Sequence, residues 1–381
     1  MGDMPPPPPP GAFARPAARP RASIPPSERA DHAVMLTNDE ASTSKLACVE
    51  RGYLRDDFVH RFARRGRKYP PLINRGYYAR VTAMRRVLDA FLAVTLTDDP
   101  ADASKRARRQ IVSLGAGFDT TWFRLRAEGR EPARYIEVDH APIVAKKAAI
   151  VNDADDMRAL CVGGAGLAPL ERPAESIVRD DVPSTSDSAA SSSFGDAGGY
   201  RVVAADLRDV PSLDAAVRAA GFDPTLPTLV FSECCLVYLP TAAAAAVVRW
   251  AAEACSSSPA SAYALYDPMR PDDAFGRQML LNLEARGCPL LGIRGGADPE
   301  GHVARFRACG WTRAGCVDMN DAHAAAARAD PEGTRRAERT EMLDELEEWR
   351  LIQAHYCVAW GTSGTGSDAD ALHEAVRALW R

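Results

Sequence analysis

This sequence predicts a doubly wound α/β fold. Its sheet is mostly parallel, with antiparallel pairing at one edge and a helical cap on the N-terminal side. Three observations carry the prediction. Short β-rich apolar runs alternate with helical stretches from Gln110 onward, a pattern that builds parallel sheets covered on both faces. The first run, "QIVSL", breaks directly into Gly-Ala-Gly. Two late runs, "WTRAGCVDM" and "IQAHYCVAWGT", look able to pair antiparallel at the sheet edge.

The 381 residues, 46% of them hydrophobic, can bury a full core. A net charge of -4 argues against a general nucleic-acid binder, and basic runs such as "HRFARRGRK" read as solvated faces or loops. No apolar stretch is long enough to span a bilayer, because "LPTAAAAAVVRWAAEAC" is Ala-rich and broken by Arg249. Nine cysteines with no CxxC pair suggest neither a zinc site nor a disulfide framework, and a reducing compartment, the cytoplasm, is the simpler expectation.

In chain order, residues 1–30 form a Pro-rich head expected to be disordered. Its Arg, Ala and Ser content also resembles an organelle transit segment. Ordered sequence should begin near Asp31 and continue as one domain to residue 381. "TNDEASTSKLACVERG" reads as a helix capped by Thr37 or Asn38 and stopped by Gly52. "INRGYYARVTAMRRVLDAFLA" is a stronger helix, with Tyr77, Val81, Met84, Val87, Leu88 and Phe91 on one face. Arg75 and Arg86 should point away from that face, but Arg80 lies inside the stripe, and a buried arginine requires an anionic partner.

Strands follow at "QIVSL", "ARYIEVD", "YRVVAADL", "TLVFSECC" and "SAYALYD", separated by helical segments such as "PIVAKKAAIV" and "TAAAAAVVRWAAEAC". "DDAFGRQMLLNLEARG" and "GHVARFRACG" supply further helices, and "MLDELEEWRLI" is an amphipathic helix before the last strand. Between about 153 and 199 the chain turns Ser-, Asp- and Gly-rich, which predicts a loop insertion.

Ligands of such a sheet sit beyond the carboxyl ends of its strands, where strand order reverses. Gly115 and Gly117 follow the first strand and let the backbone approach a ligand closely. Position 120 is Thr, where a dinucleotide fold wants a third glycine. Asp139 closes the second strand, 24 residues after Gly115, and can accept both hydrogen bonds of a ribose diol; it could also cap the next helix. Asp206, beside the N–H of Leu207, ends the third strand, placed to accept from an exocyclic amine, and Glu233 ends the fourth. No Walker lysine, zinc set or Ser-His-Asp order is evident. A glycine turn followed by three acids describes a nucleoside site with no pyrophosphate to cradle, which suits S-adenosylmethionine better than a dinucleotide.

"TNDEASTSKLACVERGY", "INRGYYARV", "LGAGFDTTWFRL", "YIEVDHAPIVAKK", "AADLRD", "LPTLVFSECCLVYL", "DAFGRQMLLNLEARGCPL" and "HYCVAW" together resemble the leucine carboxyl methyltransferases over about residues 31–361. That family methylates the C-terminal leucine carboxylate of the protein phosphatase 2A catalytic subunit. The resemblance implies a Rossmann-like class I methyltransferase with cofactor contacts at Lys45, Arg80, Gly115, Asp139, Asp206, Leu207 and Glu233. Asp139 would hold the ribose, Asp206 and Leu207 the adenine, and Lys45 and Arg80 the methionyl carboxylate and substrate end. On helical geometry alone Lys45 reads as a surface lysine. Arg80 is assigned to placing the acceptor carboxylate, with Tyr238 of "CCLVYL" as partner, although Tyr238 could equally be a core aromatic. Rival readings are a small-molecule O-methyltransferase, a non-catalytic phosphatase-binding protein, and the related tRNA wybutosine methyltransferase. The last carries a long C-terminal β-propeller, whereas this chain ends about twenty residues after "HYCVAWGT".

Overall fold

The computed structural model describes residues 26–63, 66–97, 109–162 and 199–381. The Pro-rich head to residue 25, the loop 98–108 and most of the Ser-rich insertion lie outside the described residues, and so do the expectations of disorder that fall on them.

Two long helices come first, α1 (Pro26–Glu50) and α2 (Pro71–Ala93). The alternation then runs β1 (Gln110–Leu114), α3 (Thr121–Ala127), β2 (Arg134–Asp139), α4 (Ala141–Asp153), α5 (Asp155–Val162), β3 (Gly199–Ala204), α6 (Val210–Ala219) and β4 (Thr228–Glu233). After α7 (Thr241–Ala254) and β5 (Ala260–Pro268) come α8 (Ala274–Ala285), α9 (Pro299–Ala308), β6 (Arg313–Asp318), α10 (Met319–Ala329), α11 (Pro331–Thr340), α12 (Leu346–Ala354), β7 (Tyr356–Gly364) and α13 (Gly366–Ala378). The strand order is β3-β2-β1-β4-β5-β7-β6. The first five strands pair parallel, and β7 runs antiparallel to both β5 and β6. Order therefore reverses between β1 and β4, where a ligand crevice opens.

Successive strand residues face opposite sides, and the core divides accordingly. Ile111, Leu229 and Phe231 pack under α2 and α3 with Val87, Phe91 and Trp122. Val112, Leu114 and Val230 pack under α6, α7 and α9 with Leu213, Val247 and Phe306. Buried Arg109 fastens α2 to the start of β1: Nη1 donates to the Phe91 carbonyl at 2.6 Å and Nη2 to that of Val94, a cation at a helix C-terminus.

Several local expectations give way. The first helix starts at Pro26, so order begins five residues before the expected Asp31 and residues 26–30 are helical rather than disordered; Thr37 and Asn38 are interior residues rather than caps, and the Thr37 hydroxyl donates back to the Val34 carbonyl at 2.6 Å. Arg75 leaves the apolar stripe as expected without reaching solvent. It is buried, and Nη2 donates to the carbonyls of Glu338 (3.0 Å) and Glu341 (3.1 Å), because C-terminal helices cover a second side of α2. Helix α5 occupies part of the stretch expected as loop, and α10, α11 and α13 are additional.

Candidate active site

A cavity of about 300 Å³ opens at the strand-order reversal, between α1, α2 and the carboxyl ends of the parallel strands. Its floor is the turn after β1. Gly115 and Gly117 have φ of +64° and +52°, values that favour glycine. A Cβ at 115 would run into Cys235 Sγ, and one at 117 into Asn38 Oδ1. The turn is thus pressed from one side by the residues after β4 and from the other by α1. Asn38 Oδ1 also accepts the Phe118 N–H at 2.8 Å.

Asp139 receives the N–H of Gly117 on one oxygen and that of His140 on the other, both at 2.7 Å. His140, not Asp139, occupies the cap position of α4 and makes no side-chain cap, so the helix-capping alternative for Asp139 does not hold. Burial raises the Asp139 pKa against these N–H bonds. Asp206 lines the same end of the cavity beside buried Leu207. Burial would raise its pKa, but the guanidinium of Arg208, donating from Nε and Nη2, holds it below the usual carboxylate range. Arg208 also reaches Asp31 of α1 at 2.8 Å, which ties the helix over the cavity to this acid.

Glu233 Oε2 accepts Arg80 Nε at 2.8 Å, so the anionic partner that the stripe demanded is the acid ending β4. The Arg80 guanidinium lies 5.5 Å from the Tyr77 ring centroid and 5.0 Å from that of Tyr266, within cation–π range. Tyr266 stacks on Tyr356 of β7, centroids 5.3 Å apart. Tyr238, in the short 3-10 turn Leu236–Tyr238, lines the cavity and is half-buried, and burial pushes its hydroxyl pKa up.

The family profile described as leucine carboxyl methyltransferase matches residues 33–252. A leucine carboxyl methyltransferase 1 homolog of Arabidopsis thaliana is 38% identical over 331 residues, 87% of this chain and 89% of the relative. The chain belongs to the leucine carboxyl methyltransferase family. Leucine carboxyl methyltransferase 1 of Rattus norvegicus is 31% identical over 88% of this chain and 91% of its own length. The tRNA wybutosine-synthesizing protein 4 of Homo sapiens is 36% identical over 88% of this chain but only 45% of its own.

In this methyltransferase the structure brings all eight residues singled out in the sequence to one cavity: Lys45, Arg80, Gly115, Asp139, Asp206, Leu207, Glu233 and Tyr238. Lys45 corrects the reading from helical geometry. It is buried, its Nζ donates to Thr120 Oγ1 at 2.6 Å, and it lies 2.9 Å from Asp56 Oδ2 and 3.6 Å from Asp119 Oδ1. Burial works to lower its pKa, but those two acids prevail and raise it. The surface reading failed because the Asp56 loop and the β1 turn close over that face of α1. Sequence reasoning also missed Asn38, Tyr77, Tyr266, Gln353 and Tyr356, all cavity-lining. The three tyrosines occupy apolar stripe or strand positions, and no local signal separates a core ring from a cavity wall. Cys234 carried a signal only in the structure: its φ of +50° is rare for a non-glycine residue and turns the chain sharply beside the glycine turn.

Proposed function

We propose that the enzyme transfers a methyl group from S-adenosylmethionine to the C-terminal leucine α-carboxylate of the protein phosphatase 2A catalytic subunit, with residues 31–381 acting as one methyltransferase domain. The observation that carries this reading is Arg80. It stands on Glu233, with Tyr77 and Tyr266 beside its guanidinium, in the cavity whose floor is the glycine turn. Its site for an anion is thus beside the methyl donor's.

The residues present fit the cofactor. The glycine turn lacks the side chains that would fill the cradle. Each Asp139 oxygen has spent one acceptor position on a backbone N–H, leaving capacity for a ribose diol. Asp206 and the Leu207 N–H would read the adenine, and Lys45 would face the methionyl carboxylate. Bound S-adenosylmethionine supplies an electrophilic methyl on a sulfonium that leaves as a neutral thioether.

The acceptor needs no base, since an α-carboxyl group with a pKa of about 3.5 is already ionised near neutral pH. What the protein contributes is alignment. Arg80 draws the carboxylate in with charge-assisted hydrogen bonds of about 1.5–3 kcal/mol, and its planar fork fixes which oxygen faces the methyl. Holding reactants in line is worth roughly 7–11 kcal/mol. Helix α1 walls the cavity on one side, and attack by an anion on a cation gains wherever water is excluded because charge is cancelled as the bond forms.

Incubation with methyl-labelled cofactor and purified phosphatase catalytic subunit tests the reading. Label should enter the intact subunit as an alkali-labile ester and fail to enter one lacking its terminal leucine. Equal labelling of both, or labelling of small carboxylic acids or tRNA in preference, would refute it.

A further inference from the structure

The cavity wall contains a buried polar side chain whose carbonyl oxygen has no partner among the described residues. Gln353, near the end of α12, is 2% exposed and lines the cavity, and its Oε1 is buried without a hydrogen bond from any described residue. A buried amide left unsatisfied destabilises a fold, and an aliphatic side chain would fill the same space without that cost. Such a group is accounted for if a bound molecule satisfies it.

Its position says which molecule. The Gln353 Nε2 lies against Gly76 of α2, 3.7 Å from where a Cβ would stand. Gly76 and Arg80 are four residues apart on one helix, hence on one face and about 6 Å apart along the axis. Gln353 therefore stands against α2 one helical turn before Arg80, the residue assigned to the reacting carboxylate. It shares the cavity wall with Ile73, Leu290 and Tyr356. Within a turn of a C-terminal carboxylate, the next polar group along a polypeptide is the last peptide amide. A carboxamide, with donor and acceptor on one plane, matches a peptide N–H and C=O.

We propose that Gln353 hydrogen-bonds the last peptide group of the acceptor and so selects a peptide C-terminus over a free carboxylic acid of the same shape. This rests on the reading that the acceptor is a C-terminal leucine carboxylate. The test compares the phosphatase catalytic subunit with a ligated version whose last amide is replaced by an ester, using the wild-type enzyme and Gln353→Leu. The wild type should methylate the amide form about 10-fold more efficiently in kcat/KM, one hydrogen bond's worth. Gln353→Leu should lose about that factor on the amide form, treat the two acceptors alike, and bind S-adenosylmethionine with unchanged affinity by calorimetry. If the variant falls equally on both acceptors, or on neither, Gln353 only packs and the inference is wrong. Should Gln353→Leu not fold, equal wild-type rates on amide and ester overturn the inference without it. If the wild type methylates neither acceptor, the functional reading falls first, and that result is distinct because no discrimination is then measurable.

Discussion

The two ends of the cavity are built differently. At the nucleoside end the contacts come from the ends of adjacent strands: a backbone turn, Asp139 and Asp206, each fixed by hydrogen bonds to its own or a neighbouring loop. At the acceptor end they come from elements remote in sequence, with Arg80 from α2, Tyr238 from a 3-10 turn, Tyr266 from β5, Gln353 from α12 and Tyr356 from β7. The first is made of local geometry that a parallel sheet provides at its switch point. The second is an assembly of side chains that exists only when α1, α2 and the C-terminal helices close on the sheet. Damage at the nucleoside end should therefore appear as weaker cofactor binding, and damage at the acceptor end as lost turnover.

The largest effect expected comes from the buried ion pair between Lys45 and Asp56. Lys45→Met leaves Asp56, whose side chain is fully buried, without its cation, and breaking a buried pair costs about 3–5 kcal/mol. Burial alone would raise the Asp56 pKa, but Lys45 and the Thr120 hydroxyl hold it well below the usual carboxylate range. A depressed carboxylate contributes stability that is present above its unfolded pKa of about 3.9 and lost as pH falls through the folded value. Chemical denaturation should accordingly show a wide gap between wild type and variant at pH 7 that narrows below about pH 4. A gap independent of pH would mean that Lys45 acts by packing alone.

Arg80→Ala should come next, lowering kcat by roughly 10²–10³ while calorimetric affinity for the cofactor changes less. Arg80→Lys should stay poor, since a point charge lacks the planar fork. Activity within a few-fold of wild type in Arg80→Ala would dissolve the distinction between the ends. At the nucleoside end Asp139→Asn should weaken cofactor binding roughly 10- to 100-fold, the worth of a charge-assisted bond, with turnover at saturating cofactor largely kept. Turnover that collapses while affinity holds would reverse the assignment of ends.

The same contrast explains what could be read without the fold. Strand ends were legible because "QIVSL", "ARYIEVD" and "TLVFSECC" each announce a strand and place the glycine turn or an acid at its terminus. Arg80 was legible as a charge inside an apolar stripe. Tyr266 was not, because on β5 it is one buried residue among nine, and its pairing with Tyr356 depends on the antiparallel register of β7. Lys45 was misread because periodicity shows which face of a helix is apolar, not how many sides are covered. Helix α11 was missed because "PEGTRRAERT" is polar nearly all round and buries only Thr334 and Ala337.

The smallest effect belongs to the fastening of α1 itself. Among the described residues, three ion pairs tether the stretch 31–40 of this helix: Asp31 to Arg208, Asp39 to Lys146, and Glu40 to Arg286. The middle pair is half exposed on both partners, at 52% each, so water screens it and it should be worth about 0.2–1 kcal/mol. Asp39→Asn should then leave thermal stability nearly unchanged and raise the cofactor dissociation rate only a few-fold, an increase that added salt removes by weakening the wild-type pair to match. The comparison is sharpened if Asp31→Asn does more, because Arg208 also holds Asp206, the acid proposed to read the adenine, whereas Lys146 meets the cavity wall only through the ring of Phe118, 4.9 Å away. Equal, salt-insensitive effects from both would mean that α1 is held by its apolar contacts and that the charges are incidental.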